Sequence, residues 1–154
     1  STWLCRWVTT TPDTRGDAVM VLTALSCIAL NVYFEARSDN MSGQYAVAHV
    51  VLNRVQDNRW PNDVCNVVTQ RNDNNVCQFS WYCDGKSDKP DDEYAWAYAQ
   101  MVAADVLRGE VPDFTGGSTH YHAYYVNPYW ADKMLYQGDF GSHYFFREID
   151  GLNR

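Results

Sequence analysis

The sequence predicts an α+β domain, mainly helical, with a small antiparallel β element in its C-terminal half. Three observations lead there. As far as Leu107, apolar residues recur at the three-and-four spacing that turns one helix face towards a core. Beyond Gly109 the pattern changes to β-prone, aromatic runs at residues 119–126 and 143–147, separated by Asn127-Pro128 and by turns at Gly138 and Gly141. The chain has 154 residues, 46% hydrophobic and 20% charged, which makes one globular domain with room for a core, and no repeat or linker divides it.

The elements follow in order. Residues 1–16, with Thr9-Thr10-Thr11-Pro12 and Arg15-Gly16, read as an irregular lead-in, and residues 17–154 as a single domain. Asp17 is placed to cap a helix running to about Arg37, with Ala18, Val21, Leu22, Leu25, Ile28 and Val32 on one face. Ser38-Asp39-Asn40 breaks it, and Ser42 or Gly43 starts a second helix through Val55. There Val47, Ala48, Val50, Val51, Leu52 and Val55 cover more than one face, so this helix is central, and Asn53 and Arg54 near its end need buried partners or a cleft. Trp60-Pro61-Asn62-Asp63 is a turn and cap that opens a short helix to about Gln70, with polar loops at 71–75 and 84–92 beyond it. A third long helix spans residues 93–107, with Trp96, Ala99, Val102, Ala103, Val106 and Leu107 inward and Gly109 as its stop.

Charge and composition exclude several function classes. The net charge of −7 opposes binding to nucleic acid, whose phosphates need Lys and Arg to displace counterions, and opposes adhesion to anionic membranes. No apolar run approaches the roughly 20 residues that span a bilayer. Six Trp, eleven Tyr and six Phe are present, many in the polar second half around Tyr82, Tyr121, Tyr124, Tyr125, Tyr129 and Trp130. Core packing accounts for most of them; exposed rings beside amides suit the flat C–H faces and hydroxyl rims of sugars. Five cysteines leave at least one thiol unpaired within the chain. Cys77 and Cys83 can close a small loop, Cys65 and Cys5 are other possible partners, and Cys27, among apolar residues of a helix, reads as a buried thiol. No CxxC spacing marks a zinc site, no cofactor is expected, and the default state is a monomer.

The residue with the clearest chemical promise is Glu35, in Asn31-Val32-Tyr33-Phe34-Glu35-Ala36-Arg37. It follows Val32 by three residues and so continues the apolar stripe. A carboxyl group there loses water, its pKa rises because the charged form is penalised, and a carboxyl protonated near neutrality can act as a general acid. The plainer alternative is a helix-end glutamate paired with Arg37 or another base.

Five phrases then occur in order: the one around Glu35; Gly43-Gln44-Tyr45-Ala46-Val47-Ala48 leading to Val51-Leu52-Asn53-Arg54; Cys77-Gln78-Phe79-Ser80-Trp81; Thr119-His120-Tyr121-His122-Ala123; and His143-Tyr144-Phe145-Phe146-Arg147. The pattern resembles the SleB-type cell-wall hydrolases, named for a spore-cortex-lytic enzyme and found also in bacteria without spores and in phages. It covers about residues 24–147. The resemblance implies a lysozyme-like catalytic domain acting on the bacterial cell wall. Its reaction would be lytic transglycosylation, cleaving the β-1,4 bond between N-acetylmuramic acid and N-acetylglucosamine in peptidoglycan glycan strands. A 1,6-anhydromuramic end would remain and no water would be consumed. The family's catalytic glutamate carries over onto Glu35.

A glycosidase normally needs two carboxylates, whereas these phrases supply one; Asp39, Asp73, Asp84 and Glu148 lie outside or beside them. A single acid suffices where the substrate assists. Gln78 and Ser80 are candidates to hydrogen-bond acetamido groups above Phe79 and Trp81, the alternative being a loop held by its own side chains. Tyr121 is a candidate to sit opposite Glu35, and Tyr33, His120 and His122 are further candidates for substrate contact. His120 and His122, two apart on a strand, share a face, so a metal-dependent peptidoglycan amidase or peptidase is a rival, although no third ligand stands at a matching spacing. His143 and Arg147 read as structural, and Arg37 and Arg54 as partners of buried acids or as groups that fix the position of Glu35. A muramidase hydrolysing the same bond and a non-catalytic wall-binding module are the other rivals.

Overall fold

A computed structural model of the protein describes residues 22–149. The first helix, α1 (Ala24–Ala36), is buried along almost its whole length. It starts at Thr23, whose side chain accepts from the Ser26 N–H while Ser26 returns the bond to the Thr23 N–H. This reciprocal cap makes the helix begin later than the apolar stripe alone predicts; Asp17 and the lead-in lie outside the described residues. Asn40, predicted only as part of a break, caps α2 (Met41–Gln56) by accepting from the Gly43 N–H at 3.0 Å. Ala46, Val47, Ala48, Val50 and Val51 are all fully buried, so α2 is the central helix its two-faced apolar pattern predicts.

Asp63 caps α3 (Val64–Val68), and Asp92 caps α4 (Glu93–Leu107), which ends at Gly109 in the left-handed region at φ 72°. Ile28 and Val32 of α1 meet Val47, Val50 and Val51 of α2 and Val102 of α4 in one apolar core. Two disulfides add to it. Cys77–Cys83 closes the predicted loop, and Cys27–Cys65 ties α1 to α3. Cys27 is therefore not a buried free thiol. A half-cystine on a helix face is as apolar as its neighbours, so periodicity does not separate the two. Cys5 lies outside the described residues.

The late β element is an antiparallel sheet of order β1-β3-β2, with β1 (His120–Ala123), β2 (Leu135–Phe140) and β3 (His143–Arg147). Residues 124–126, predicted as strand, lie beyond the end of β1. Tyr121 faces Phe145 across the β1–β3 pair, and Ala123 faces His143. Since alternate residues point to opposite faces, Tyr121 and the fully buried Phe145 look towards the helices, whereas His120, His122 and Phe146 look away. Strand β2 corrects the expected turn at Gly138. This residue, at φ 143°, lies where the register slips between Tyr136 and Gly138. Gly and Asp are poor strand formers, so this segment owes its strand to its neighbour β3 and carries little signal of its own.

Candidate active site

The carboxyl group of Glu35 lies in the last turn of α1, facing the sheet. Its Oε1 accepts a hydrogen bond from the Tyr121 hydroxyl at 2.7 Å, joining residues 86 apart in sequence. Arg37 does not pair with it: its guanidinium donates to the Tyr33 hydroxyl at 2.7 Å. Glu35 is half-buried as a residue, yet burial is the largest influence on its carboxyl group and raises its pKa above the usual carboxylate value. The Tyr121 hydrogen bond, the charge of His143 and the charge of Arg54 act in the opposite direction and weaken that rise. Burial and the adjacent Glu35 push the Tyr121 phenol well above its ordinary value, so it remains a hydrogen-bond donor.

The ring of Tyr121 is held on several sides. Phe145 lies 5.4 Å away, Phe79 is stacked at 6.5 Å, and the His143 ring meets it edge-on at 5.2 Å. Asn31, one helical turn before Glu35, accepts the Trp81 indole N–H at 2.9 Å. Its Nδ2 makes no hydrogen bond of good geometry, yet lies near enough to the Tyr121 oxygen to lower that phenol's pKa. Arg54, only 5% exposed, donates from Nε to the Thr119 carbonyl at 2.7 Å and lies over the rings of Phe79 and Trp60. Its Nη1 has no hydrogen-bond partner among the described residues. Asn53 donates to the Asp113 carboxylate and the Ser118 carbonyl, so it is provided for, whereas Arg54 is only partly so.

A testable consequence concerns Tyr121. Its hydrogen bond favours ionised Glu35, so Tyr121→Phe raises the Glu35 pKa further and moves the alkaline limb of any rate that needs protonated Glu35 to higher pH. Turnover at neutral pH is expected to fall about tenfold, because the carboxylate left after proton donation loses its stabilising donor. A pH–rate profile of the variant checks both.

The other sequence-predicted residues fall into three groups. Phe79 is buried beneath Tyr121 and Arg54, at the floor of the site. Gln78 and Ser80 are exposed, and neither side chain makes a hydrogen bond among the described residues, so the loop is not held by them. Trp81 and Tyr33 are core residues. Trp81 stacks on Phe34 at 4.9 Å, while Tyr33 is completely buried and accepts from both Arg37 and the Asp92 N–H. Tyr33 thus fastens α1 to the start of α4 and does not line a cleft; an aromatic at that spacing serves the core stripe equally well.

His120 and His122 share the sheet face opposite Tyr121, in an aromatic layer with Trp130 and Phe146. Nδ1 of His120 meets the Thr119 hydroxyl, and Nδ1 of His122 meets its neighbouring carbonyl at Ala123. Burial, with Arg54 and Arg59 nearby, pushes His120 down to about 4, so it is neutral at neutral pH. Among the described residues no three or more His, Cys, Asp or Glu side chains come together as a metal site.

Sequence reasoning gives no role to Asn31 or Asp39, reads His143 as structural, and takes Arg54 as a partner of a buried acid or a group that fixes Glu35. Asn31 and Arg54 do carry a signal, as polar residues inside apolar helical runs. Asp39 and His143, 104 residues apart, carry none until the fold brings them together. Two cavities lie nearby, and neither is lined by Glu35 or Tyr121. A polar groove of about 430 Å³, lined by Asn53, Gln56, Asp57, Asn58, Gly117 and Thr119, opens beside the Arg54–Thr119 bond. The larger, apolar cavity of about 730 Å³, which includes Leu30, Val68, Trp81 and Trp96, touches neither Glu35 nor Tyr121.

Known proteins agree with this architecture. A family model described as cell wall hydrolase matches residues 38–146, beginning three residues after Glu35. A spore cortex-lytic enzyme of Halalkalibacterium halodurans is 34% identical over 104 residues, which is 68% of this chain but only 27% of that relative's length. The catalytic domain of the germination-specific lytic transglycosylase SleB from Bacillus anthracis superimposes with a TM-score of 0.64 at 26% identity, covering 80% of this chain and 93% of that one. The catalytic domain of the Bacillus cereus SleB protein gives 0.65 at 27% identity, covering 80% and 89%. The helices and small sheet that carry Glu35 and Tyr121 are thus those of a SleB catalytic domain, and the chain belongs to the cell wall hydrolase family as an enzyme of the SleB type.

Proposed function

We propose that this domain is a peptidoglycan lytic transglycosylase in which Glu35 acts alone as acid and then as base. The observation that carries the reading is the pairing of a desolvated carboxyl group with a phenol that cannot take its proton. Protonated Glu35 donates to the oxygen of the β-1,4 bond between N-acetylmuramic acid and N-acetylglucosamine, and the leaving sugar departs with that proton. The substrate's own acetamido oxygen supports C1 as the bond breaks, an arrangement known among substrate-assisted glycosidases. The carboxylate, stabilised by the Tyr121 hydroxyl and by the charges of His143 and Arg54, then takes the proton of the 6-hydroxyl. The 6-oxygen closes on C1 and Glu35 ends protonated, ready for the next bond. No water is consumed.

A single carboxylate fits the surroundings. Among the described residues, the groups acting on the Glu35 charge are Tyr121, His143 and Arg54, with no second acid among them. Asp39, the next acid in sequence, has both oxygens engaged by Ser142 and His143, and Glu148 is paired with Arg59. The exposed Gln78 and Ser80 and the amide-lined groove at Asn53 and Asn58 offer donors and acceptors to a glycan strand. Digesting purified sacculi in heavy-oxygen water tests the reaction. Muropeptides ending in anhydromuramic acid, lighter by one water and free of the label, are the expected products. Labelled reducing ends would make the enzyme a muramidase, and intact glycan with freed peptides would mean a different bond.

A further inference from the structure

We propose that Asp39 and His143 form a positioning pair, which holds Tyr121 in place so that its hydroxyl stays on Glu35 while the proton is transferred. The proposal rests on Glu35 being the proton donor of the preceding reading.

Asp39 stands in the corner between α1 and α2, four residues beyond Glu35, with its side chain only 5% exposed. Oδ1 accepts from the Ser142 N–H at 3.3 Å and the Ser142 hydroxyl at 2.6 Å, and Oδ2 lies 3.0 Å from Nδ1 of His143. An ionised carboxylate only accepts, so Nδ1 of His143 carries a proton towards Asp39. The opposite ring nitrogen makes no hydrogen bond among the described residues, and the side chain keeps 13% of its surface open. The backbone is shaped around this carboxylate. A Cβ on Gly141 would come within 2.6 Å of Oδ2 and one on Gly43 within 2.9 Å, and Gly141 also sits at φ +61°. Residues from both ends of the domain therefore converge on one buried acid.

The result is a fixed imidazole whose edge meets the Tyr121 ring at 5.2 Å and 84°. A protonated His143 favours ionised Glu35, as does Arg54 from α2, while the Tyr121 hydroxyl approaches from β1. Asp39, from the α1–α2 corner, fixes the orientation of that ring through its Nδ1. A plain structural tie between the β2–β3 turn and α2 needs only the Ser142 bonds. A ring edge set against Tyr121 goes further, because it steadies the hydroxyl whose hydrogen bond favours ionised Glu35.

The experiment follows Glu35 by carbon-13 NMR in protein labelled at glutamate, of which the chain has only four. In His143→Gln the Glu35 midpoint should move upward, the alkaline limb of kcat should follow it, and kcat should fall about tenfold with little change in KM. Ser142→Ala loosens the same tie without changing charge and should leave the midpoint in place. An unmoved midpoint in His143→Gln, or an equal shift in Ser142→Ala, would reduce the pair to a structural clip. Should His143→Gln not fold, nitrogen-15 spectra of the parent's four histidines decide: an inflection of the His143 ring at the Glu35 midpoint supports the coupling, and its absence overturns it. Full activity in Glu35→Gln would instead remove the underlying reading, whatever His143 does.

Discussion

Glu35→Gln is expected to lower the rate of sacculus lysis about 10³-fold while leaving the folded protein at least as stable as the parent. The amide matches the carboxyl in size and still offers an oxygen to the Tyr121 hydroxyl, so the contact between α1 and β1 persists. What disappears is the exchangeable proton. Because burial raises the Glu35 pKa, the parent's ionised form is disfavoured in the fold, and a neutral amide escapes that penalty. Turbidity loss of sacculi and a thermal melt, run on both proteins, check the two halves. Lysis at the parental rate would separate Glu35 from the chemistry.

The second large effect concerns stability. Cys27–Cys65 closes a loop of 38 residues, for which chain entropy gives about 4 kcal/mol, against about 2 kcal/mol for the six-residue separation of Cys77–Cys83. In the oxidised protein, Cys27→Ala with Cys65→Ala should therefore lower the melting temperature by about 10 °C, roughly twice the effect of removing the smaller bridge. The larger bridge pins α3 to α1, the helix that carries Glu35 at its far end, so activity near the new melting point should vanish with the fold. Equal shifts for the two pairs would mean that loop length does not govern the stabilisation.

Much of this was legible in the sequence, for identifiable reasons. Period located α2, and period with the punctuation of Asp63 and Gly109 located α3 and α4 closely, whereas the caps Asn40 and Asp92 read only as parts of a break and a loop. The start of α1 was less legible, since an apolar stripe continues past the point where Thr23 and Ser26 cap the helix. Strand β2 was hidden by Gly138 and Asp139, whose preferences point to a turn and are overridden by pairing with β3. The position of Glu35 in a buried stripe could be read directly. Which aromatics reach it could not. Tyr33 and Trp81 lie in equally promising phrases but are consumed by the core, whereas Tyr121 gains access because strand alternation turns it towards α1. Asp39 and His143 are unremarkable apart; only the antiparallel return of β3 sets them together.

The central claim is that one desolvated carboxyl group, in its protonated form, performs the chemistry. The most direct measurement compares the Glu35 titration, followed by carbon-13 NMR, with the pH dependence of kcat/KM on soluble glycan strands. The account predicts a Glu35 midpoint above the ordinary carboxylate value and an alkaline limb that falls at that same midpoint, since activity is lost as the acid ionises. A Glu35 midpoint in the ordinary range, or an alkaline limb that ignores it, would contradict the account.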